Sequence, residues 1–379
     1  ASRQAARKAA ERRRASGGLP GGANDRAEAA EPDTSHLLPI IVYIHGGGGR
    51  FGSCHAPHHG GEALARTQNV VFISMNYRLG VLGFLAHPAL SAEDRGHMAC
   101  AGNYAIADQV AALTWIQHHA ASFGGNKRNI TLMGLSSGAQ FVSTLLVSPP
   151  IRHPQWGMGA DSRPTGLFQR AFVQSCVDLP NVRKLQSSCD IWLKKSAEEW
   201  GEELAEAMGC PTEEDAELAD SWHIGQLASL RKLPVETILE HSWDEAATDC
   251  YESTIDMRGA QWGGALACLK PISSLEALET GGFHRVPLMI GATEQDGLGK
   301  SELEMTMFAA SDATDMAGLK RVMEQAFGEQ SEEALARYLP PGLEEEAAVE
   351  GALGQLGADL WYGGGSWHMA NTIAAAAAA

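Results

Sequence analysis

A chain of 379 residues, 44% hydrophobic and 20% charged, holds enough apolar material for one large core or two small ones. Its formal charge of -17 leaves no broad basic face for phosphates, which argues against a nucleic-acid partner. No apolar run approaches the roughly 18 residues that span a bilayer, so no transmembrane segment is expected.

Residues 1–37 are rich in Ala, Gly, Arg and Glu and contain no secretory hydrophobic stretch. They read as a poorly ordered arm, either a targeting remnant or a partner-binding segment. From Leu38 the character changes, and residues 38–379 read as one domain. LLPIIVYI is a buried strand and HGGGGRFGS a glycine loop, with a helix following near Gly61–Thr67. NVVFISMNY is the next strand. A long helix is predicted from about Tyr104 to Ala120, with Ala107, Val110, Ala111, Thr114 and Trp115 on its apolar stripe. NITLMGLSSGAQFVSTLL gives a strand, a sharp turn and a helix, and RAFVQSC another strand. This alternation predicts an α/β fold around a largely parallel sheet.

Residues 190–282 break the alternation. KKSAEEWGEELAEAM, HIGQLASLRKL and SSLEALET are short amphipathic helices and predict a helical excursion above the sheet. VPLMIGATEQDG returns to a strand. Residues 302–337 are again helical, ended by Leu339-Pro-Pro-Gly. The final six residues, Ala374–Ala379, carry no pattern that fixes their register. The tryptophans read mainly as core or pocket lining. His118 and His119 fall at a helix end and read as surface residues.

The cysteines, Cys54, Cys100, Cys176, Cys189, Cys210, Cys250 and Cys268, lie far apart without a C-x-x-C. That spacing favours neither a metal site nor a disulfide framework and leans towards a reducing compartment. The histidines of HAPHHGG, residues 55–61, lack a nearby carboxylate or cysteine ligand pattern, so no metal is expected there.

Chemistry concentrates in Gly134-Leu135-Ser136-Ser137-Gly138. A G-x-S-x-G alone also fits a plain glycine-flanked turn. Between the strand ITLMG and the helix AQFVSTLL it fits a nucleophile elbow, where Ser136 is strained and exposed and the helix N-terminus favours developing negative charge. His45-Gly46-Gly47-Gly48-Gly49 follows another strand. Alone it reads as a flexible loop; beside an elbow it reads as a source of oxyanion donors, with Gly47, Gly48 and the Ser137 N–H supplying three.

These segments together resemble the type-B carboxylesterase and cholinesterase family. The resemblance rests on LPIIVYIHGGG, NVVFISMNYRLGVLGFL, GNYAIADQVAALTWIQHHAASFGGNKRNITLMGLSSGA, GLFQRAFVQSC and FHRVPLMIGATEQDG. It implies an α/β-hydrolase fold without metal or organic cofactor. It also implies Ser136 as nucleophile and Asp296 as the triad acid, where the family usually has glutamate. The general-base histidine is not identified. One alignment of the tail puts Leu356 at the histidine position. A better one matches Asp359, Trp361-Tyr362 and an alanine-rich helix to an earlier family segment, which makes His368 a helix residue and puts the base beyond Ala379.

The resemblance also marks departures. Gly49 replaces an aromatic, and Leu135 a glutamate, in the usual elbow glycine-glutamate-serine-alanine-glycine. Cys176 replaces a glycine, and Ser175 matches a serine near the triad. The family's first disulfide lacks its usual setting, and Cys210 faces Ser229 where the second would close. Two functions follow from the resemblance. One is hydrolysis of a small-molecule carboxylic ester through an acyl-enzyme. The other is a catalytically inactive relative serving as a structural or protein-interaction subunit of a larger assembly.

Overall fold

The computed structural model describes residues 36–94, 100–149, 166–175, 184–186, 195–215, 222–242, 254–255, 269–270, 272–293, 315–339, 342, 346–359 and 363–378. All the expected strands are present: β1 (Leu38–Ile44), β2 (Val71–Met75), β3 (Gly125–Leu135), β4 (Arg170–Gln174) and β5 (Leu288–Gly291). They form one parallel five-stranded sheet in the order β2-β1-β3-β4-β5. Ile40, Val42 and Ile44 of β1 and Ile130 and Leu132 of β3 are fully buried, as expected of central strands covered on both faces. With helices packed about it, the sheet is that of an α/β-hydrolase fold.

The strand order positions the site. From β1 the chain moves to β2 on one side, then crosses back to β3 on the other. The connections leaving the carboxyl ends of β1 and β3 therefore diverge, and a crevice opens between them. The register pairs Ile44 of β1 with Gly134 of β3. The HGGGG loop and the serine elbow are thus neighbours at that switch point.

Among the described residues, five α-helices lie between β1 and β4: α1 (Glu62–Gln68), α2 (Gly80–Phe84), α3 (Pro88–Glu93), α4 (Tyr104–His119) and α5 (Ser137–Val147). Every residue of α5 is buried, as its apolar circumference requires. Its interior hydroxyls are satisfied locally: Ser143 Oγ and Thr144 Oγ1 donate to the Gln140 carbonyl at 2.7 and 3.1 Å.

Helix α4 buries a different stripe from the predicted one. Of Ala107, Val110, Ala111, Thr114 and Trp115, only Val110 is buried. The inward face is Ala105, Ile106, Gln109, Val110, Leu113, Ile116 and Gln117. Both faces carry apolar residues at helical spacing, and the one with the larger aliphatics packs on the sheet. Gln117 is accommodated there because its amide donates to the Lys127 and Leu167 carbonyls, both at 3.0 Å. Trp115 is instead 50% exposed, its ring tilted against those of His119 and Phe123. With Trp367 also exposed, tryptophans here are not confined to core or pocket.

In the excursion, the described helices are α6 (Ala197–Ala207), α7 (Trp222–Leu230), α8 (Val235–Ser242) and α9 (Ser274–Glu279). Helix α6 begins in a capping box. Ser196 Oγ accepts the Glu199 N–H at 3.1 Å, and Glu199 Oε2 accepts the Ser196 N–H at 2.6 Å. Ser196→Ala is expected to destabilise the protein by about 1 kcal/mol, lowering Tm by about 2–4 °C. A thermal melt that coincides with wild type would show the box to be energetically silent.

Two buried polar contacts and one exposed ion pair pin the excursion to α3. His87 caps α3 by accepting the Ala89 N–H at Nδ1, so its proton sits on Nε2 and meets Gln226 Oε1 of α7 at 2.7 Å. Ser91 hydrogen-bonds Glu198 of α6. Arg231 holds Glu93 through two 2.7 Å bonds. Burial, opposed by the Gln226 bond and aided by nearby His223, holds the His87 imidazole below its ordinary pKa. The unfolded chain takes up this proton near pH ~6.5, the folded chain only at lower pH. Stability is therefore retained above pH ~6.5 and falls as pH drops below it. His87→Asn keeps a capping side chain but cannot titrate. The Tm loss between pH 7.5 and 5.5 is expected to be smaller in this variant; equal losses would exclude His87 as a source.

Among the described residues, four α-helices follow β5: α10 (Met316–Phe327), α11 (Ser331–Tyr338), α12 (Glu346–Ala358) and α13 (Gly364–Ala378). Leu356 is buried in a core shared by α10, α11 and α12, with Leu319, Val322 and Leu353. Asp359 accepts the Tyr338 hydroxyl at 3.0 Å. Cys54, Cys100 and Cys210 are free thiols among the described residues. No helix among those residues is long and apolar enough to cross a membrane.

Candidate active site

Ser136 sits between β3 and α5 with φ 56° and ψ -130°. This left-handed conformation is costly for a residue with a side chain, and persists only where the surroundings impose it. The surroundings are close-packed backbone. A Cβ on Gly134 would lie 2.3 Å from the Gly138 carbonyl oxygen, and one on Gly138 would lie 2.2 Å from that of Ile44. The two glycines of G-x-S-x-G are therefore required by contact: β3, the turn and the first turn of α5 touch where any side chain would intrude. The Ser136 N–H is anchored to the Gln174 carbonyl at 2.9 Å. Its hydroxyl is half-exposed and has no hydrogen-bond partner among the described residues.

The HGGGG loop lies against this elbow: a Cβ on Gly46 would be 3.1 Å from Ser136 Cβ. Most of the loop's peptide groups have partners. The Tyr77 hydroxyl donates to the His45 carbonyl at 2.6 Å. His45 Nδ1 donates to the Gly46 carbonyl at 2.8 Å. The Gly47 carbonyl accepts from Arg50 and Phe51 N–H at 3.0 and 3.2 Å, and the Gly49 carbonyl from Gly80 N–H at 2.7 Å. Gly49 N–H donates to Ser137 Oγ at 3.2 Å. By contrast, the N–H groups of Gly47, Gly48 and Ser137 find no acceptor among the described residues. Unused backbone donors near a crevice are uncommon, and three from two adjoining segments are what an anionic oxygen needs.

His45 and Tyr77 form the support beneath the loop, which motif reading missed. Their rings stack with centroids 4.6 Å apart, and His59 stacks on the other side at 5.8 Å. In a trans peptide the carbonyl and the following N–H point in opposite directions. Holding the Gly46 carbonyl against His45 therefore turns the Gly47 N–H the other way. Burial holds the His45 pKa below its ordinary value, against the raising effect of the Gly46 bond. The available signal was a histidine directly before the glycines, with NYR of the next strand end supplying the tyrosine.

The expected site residues do not all come together in the described structure. The segment holding Gly47 and Gly48 lies against the elbow through its flanking residues, Gly46 beside Ser136 and Gly49 bonded to Ser137. Asp296 and Cys176 lie outside the described residues. His368 lies on α13, half-buried, and its Nε2 has no partner among the described residues. No described histidine hydrogen-bonds the Ser136 hydroxyl. Ser175 directly follows β4 with φ 56°, its N–H on the Gly291 carbonyl at 2.8 Å. Leu135 is 40% exposed beside the nucleophile position. The buried Ser91–Glu198 pair lacks the elbow geometry: Ser91 is inside α3. No group of three or more metal-binding side chains occurs among the described residues.

The sequence profile of the Carboxylesterase family matches residues 26–377. Cholinesterase 2 of Branchiostoma lanceolatum is 29% identical over 267 residues, 68% of this chain and 64% of that protein. Fumonisin B1 esterase of Sphingopyxis macrogoltabida is 44% identical over 112 residues, 30% of this chain and 20% of that protein. Esterase E4 of Myzus persicae is 33% identical over 192 residues, 50% of this chain and 29% of that protein. In each case the matched part spans less than two-thirds of the relative's length.

Proposed function

The chain belongs to the carboxylesterase family, and from that premise we propose that it is a serine hydrolase cleaving carboxylic esters through an acyl-enzyme. The observation that carries this reading is the meeting of a strained, half-exposed Ser136 with the free N–H groups of Gly47, Gly48 and Ser137 at one crevice. Ser136 Oγ attacks the ester carbonyl as a histidine base takes its proton. The carbonyl oxygen becomes an oxyanion held by the three N–H groups. The C–O bond to the alcohol then breaks, and the histidine returns the proton to the leaving alkoxide. Water, activated by the same base, attacks the acyl-serine, releases the acid and restores Ser136. Asp296 orients the histidine in this scheme. Its side chain is one methylene shorter than glutamate, so the histidine backbone must sit correspondingly nearer. Burst kinetics with p-nitrophenyl butyrate test the scheme: release of about one equivalent of nitrophenol ahead of steady turnover is expected. Nitrophenol release no faster than in buffer would refute it.

A second reading is a non-catalytic member that binds protein partners. It is favoured by Leu135, 40% exposed, in place of the elbow glutamate. Under this reading the elbow survives because it holds β1, β3 and α5 together, and Ser136 is unreactive.

A further inference from the structure

Ser137 is the chain's own departure from the family's usual elbow, which carries alanine after the nucleophile. Its side chain is buried, 5% exposed, in the first turn of α5. Its hydroxyl accepts the Gly49 N–H at 3.2 Å, a bond between residues 88 positions apart. That bond is a direct hydrogen-bonded tie between the glycine loop and the elbow. Gly49 has no side chain to hold it, and its φ of 69° lies where residues with side chains are strained. The two peptide groups flanking its Cα are held instead, the N–H by Ser137 and the carbonyl by the Gly80 N–H at 2.7 Å.

The three free donors come from two separate segments: Gly47 and Gly48 from the loop, Ser137 N–H from the helix. An oxyanion site works only if such donors keep a fixed spacing, within about 0.5 Å. A run of consecutive glycines does not keep that spacing by itself. We propose that the Ser137 hydroxyl is a positioning residue: by holding the Gly49 N–H it locks the Gly47 and Gly48 donors in register with the Ser137 N–H. It replaces, with a hydrogen bond, the anchoring that an aromatic side chain at position 49 would give. Ser137 thus has two separate parts in the site, its N–H as a donor to substrate and its hydroxyl as the clamp on the loop. The inference rests on the ester-hydrolase role proposed above.

Ser137→Ala removes the hydroxyl, keeps the N–H and suits a helix start, so the protein is expected to fold, with Tm lower by about 2–4 °C because the Gly49 N–H loses its acceptor. Two measurements on the purified protein separate the clamp from the catalytic role. In hydrogen exchange, the Gly49 amide is expected to be protected in wild type and to exchange about tenfold faster or more in the variant. With p-nitrophenyl butyrate, kcat is expected to fall about tenfold while KM changes less than about twofold, because the lost order matters most when the oxyanion forms. Equal Gly49 exchange in the two proteins overturns the clamp. Faster exchange with unchanged kcat overturns its positioning role. A wild-type protein that neither turns over ester nor reacts with a fluorophosphonate removes the hydrolase reading and the positioning role with it; the exchange result then reports only on the bond.

Discussion

Ser136→Ala is expected to reduce ester hydrolysis about a thousandfold or more in kcat, with no loss of thermal stability. The stability expectation follows from the structure: the Ser136 hydroxyl has no hydrogen-bond partner among the described residues, so its removal leaves no buried group unsatisfied. The backbone strain at φ 56° is the same for alanine as for serine. A variant with unchanged turnover would move the chemistry away from the elbow altogether. A variant that loses activity and Tm together would make Ser136 a structural residue.

The second large effect is on folding. Gly138→Ala would place a methyl group 2.2 Å from the Ile44 carbonyl oxygen and 2.7 Å from that of His45. Both are backbone atoms at the end of the central strand β1, so neither can move without disturbing the sheet or the glycine loop. We expect a loss of about 3 kcal/mol or more, read as a lower denaturant midpoint, together with loss of whatever activity the protein has. Gly225→Ala is the matched control. It lies within α7 with nothing within 4 Å of the added carbon, and is expected to be neutral or to stabilise by up to about 1 kcal/mol. Similar midpoints for the two variants would show that the elbow is not close-packed.

What could be read from the sequence was set by local chemistry. LPIIVYI, VVFISM and ITLMG are short β-branched and aliphatic runs between glycine or polar breaks, and each is a strand. G-x-S-x-G and HGGGG could be read because a strained turn and a donor-rich loop both demand glycine. The inward face of α4 could not be read, because Ile106, Leu113 and Ile116 compete with Ala107, Ala111 and Trp115 at the same spacing; only the sheet decides. The Ser137–Gly49 bond and the His45–Tyr77 stack join residues distant in sequence, so no local pattern announces them. The same holds for His87 and Gln226, a polar pair that looks like surface composition until the excursion packs on α3. The sheet order, and with it the crevice between β1 and β3, is likewise a tertiary outcome of crossover direction.

The proposed ester hydrolysis requires Ser136 to be a working nucleophile with its oxyanion donors already in place. Reaction of the purified protein with a fluorophosphonate, followed by intact-mass and peptide mapping, tests it most directly. One adduct on the peptide holding Ser136, absent from Ser136→Ala and formed about tenfold more slowly in Ser137→Ala, is the predicted result. A protein that stays unmodified, or an adduct that persists in Ser136→Ala, would contradict it.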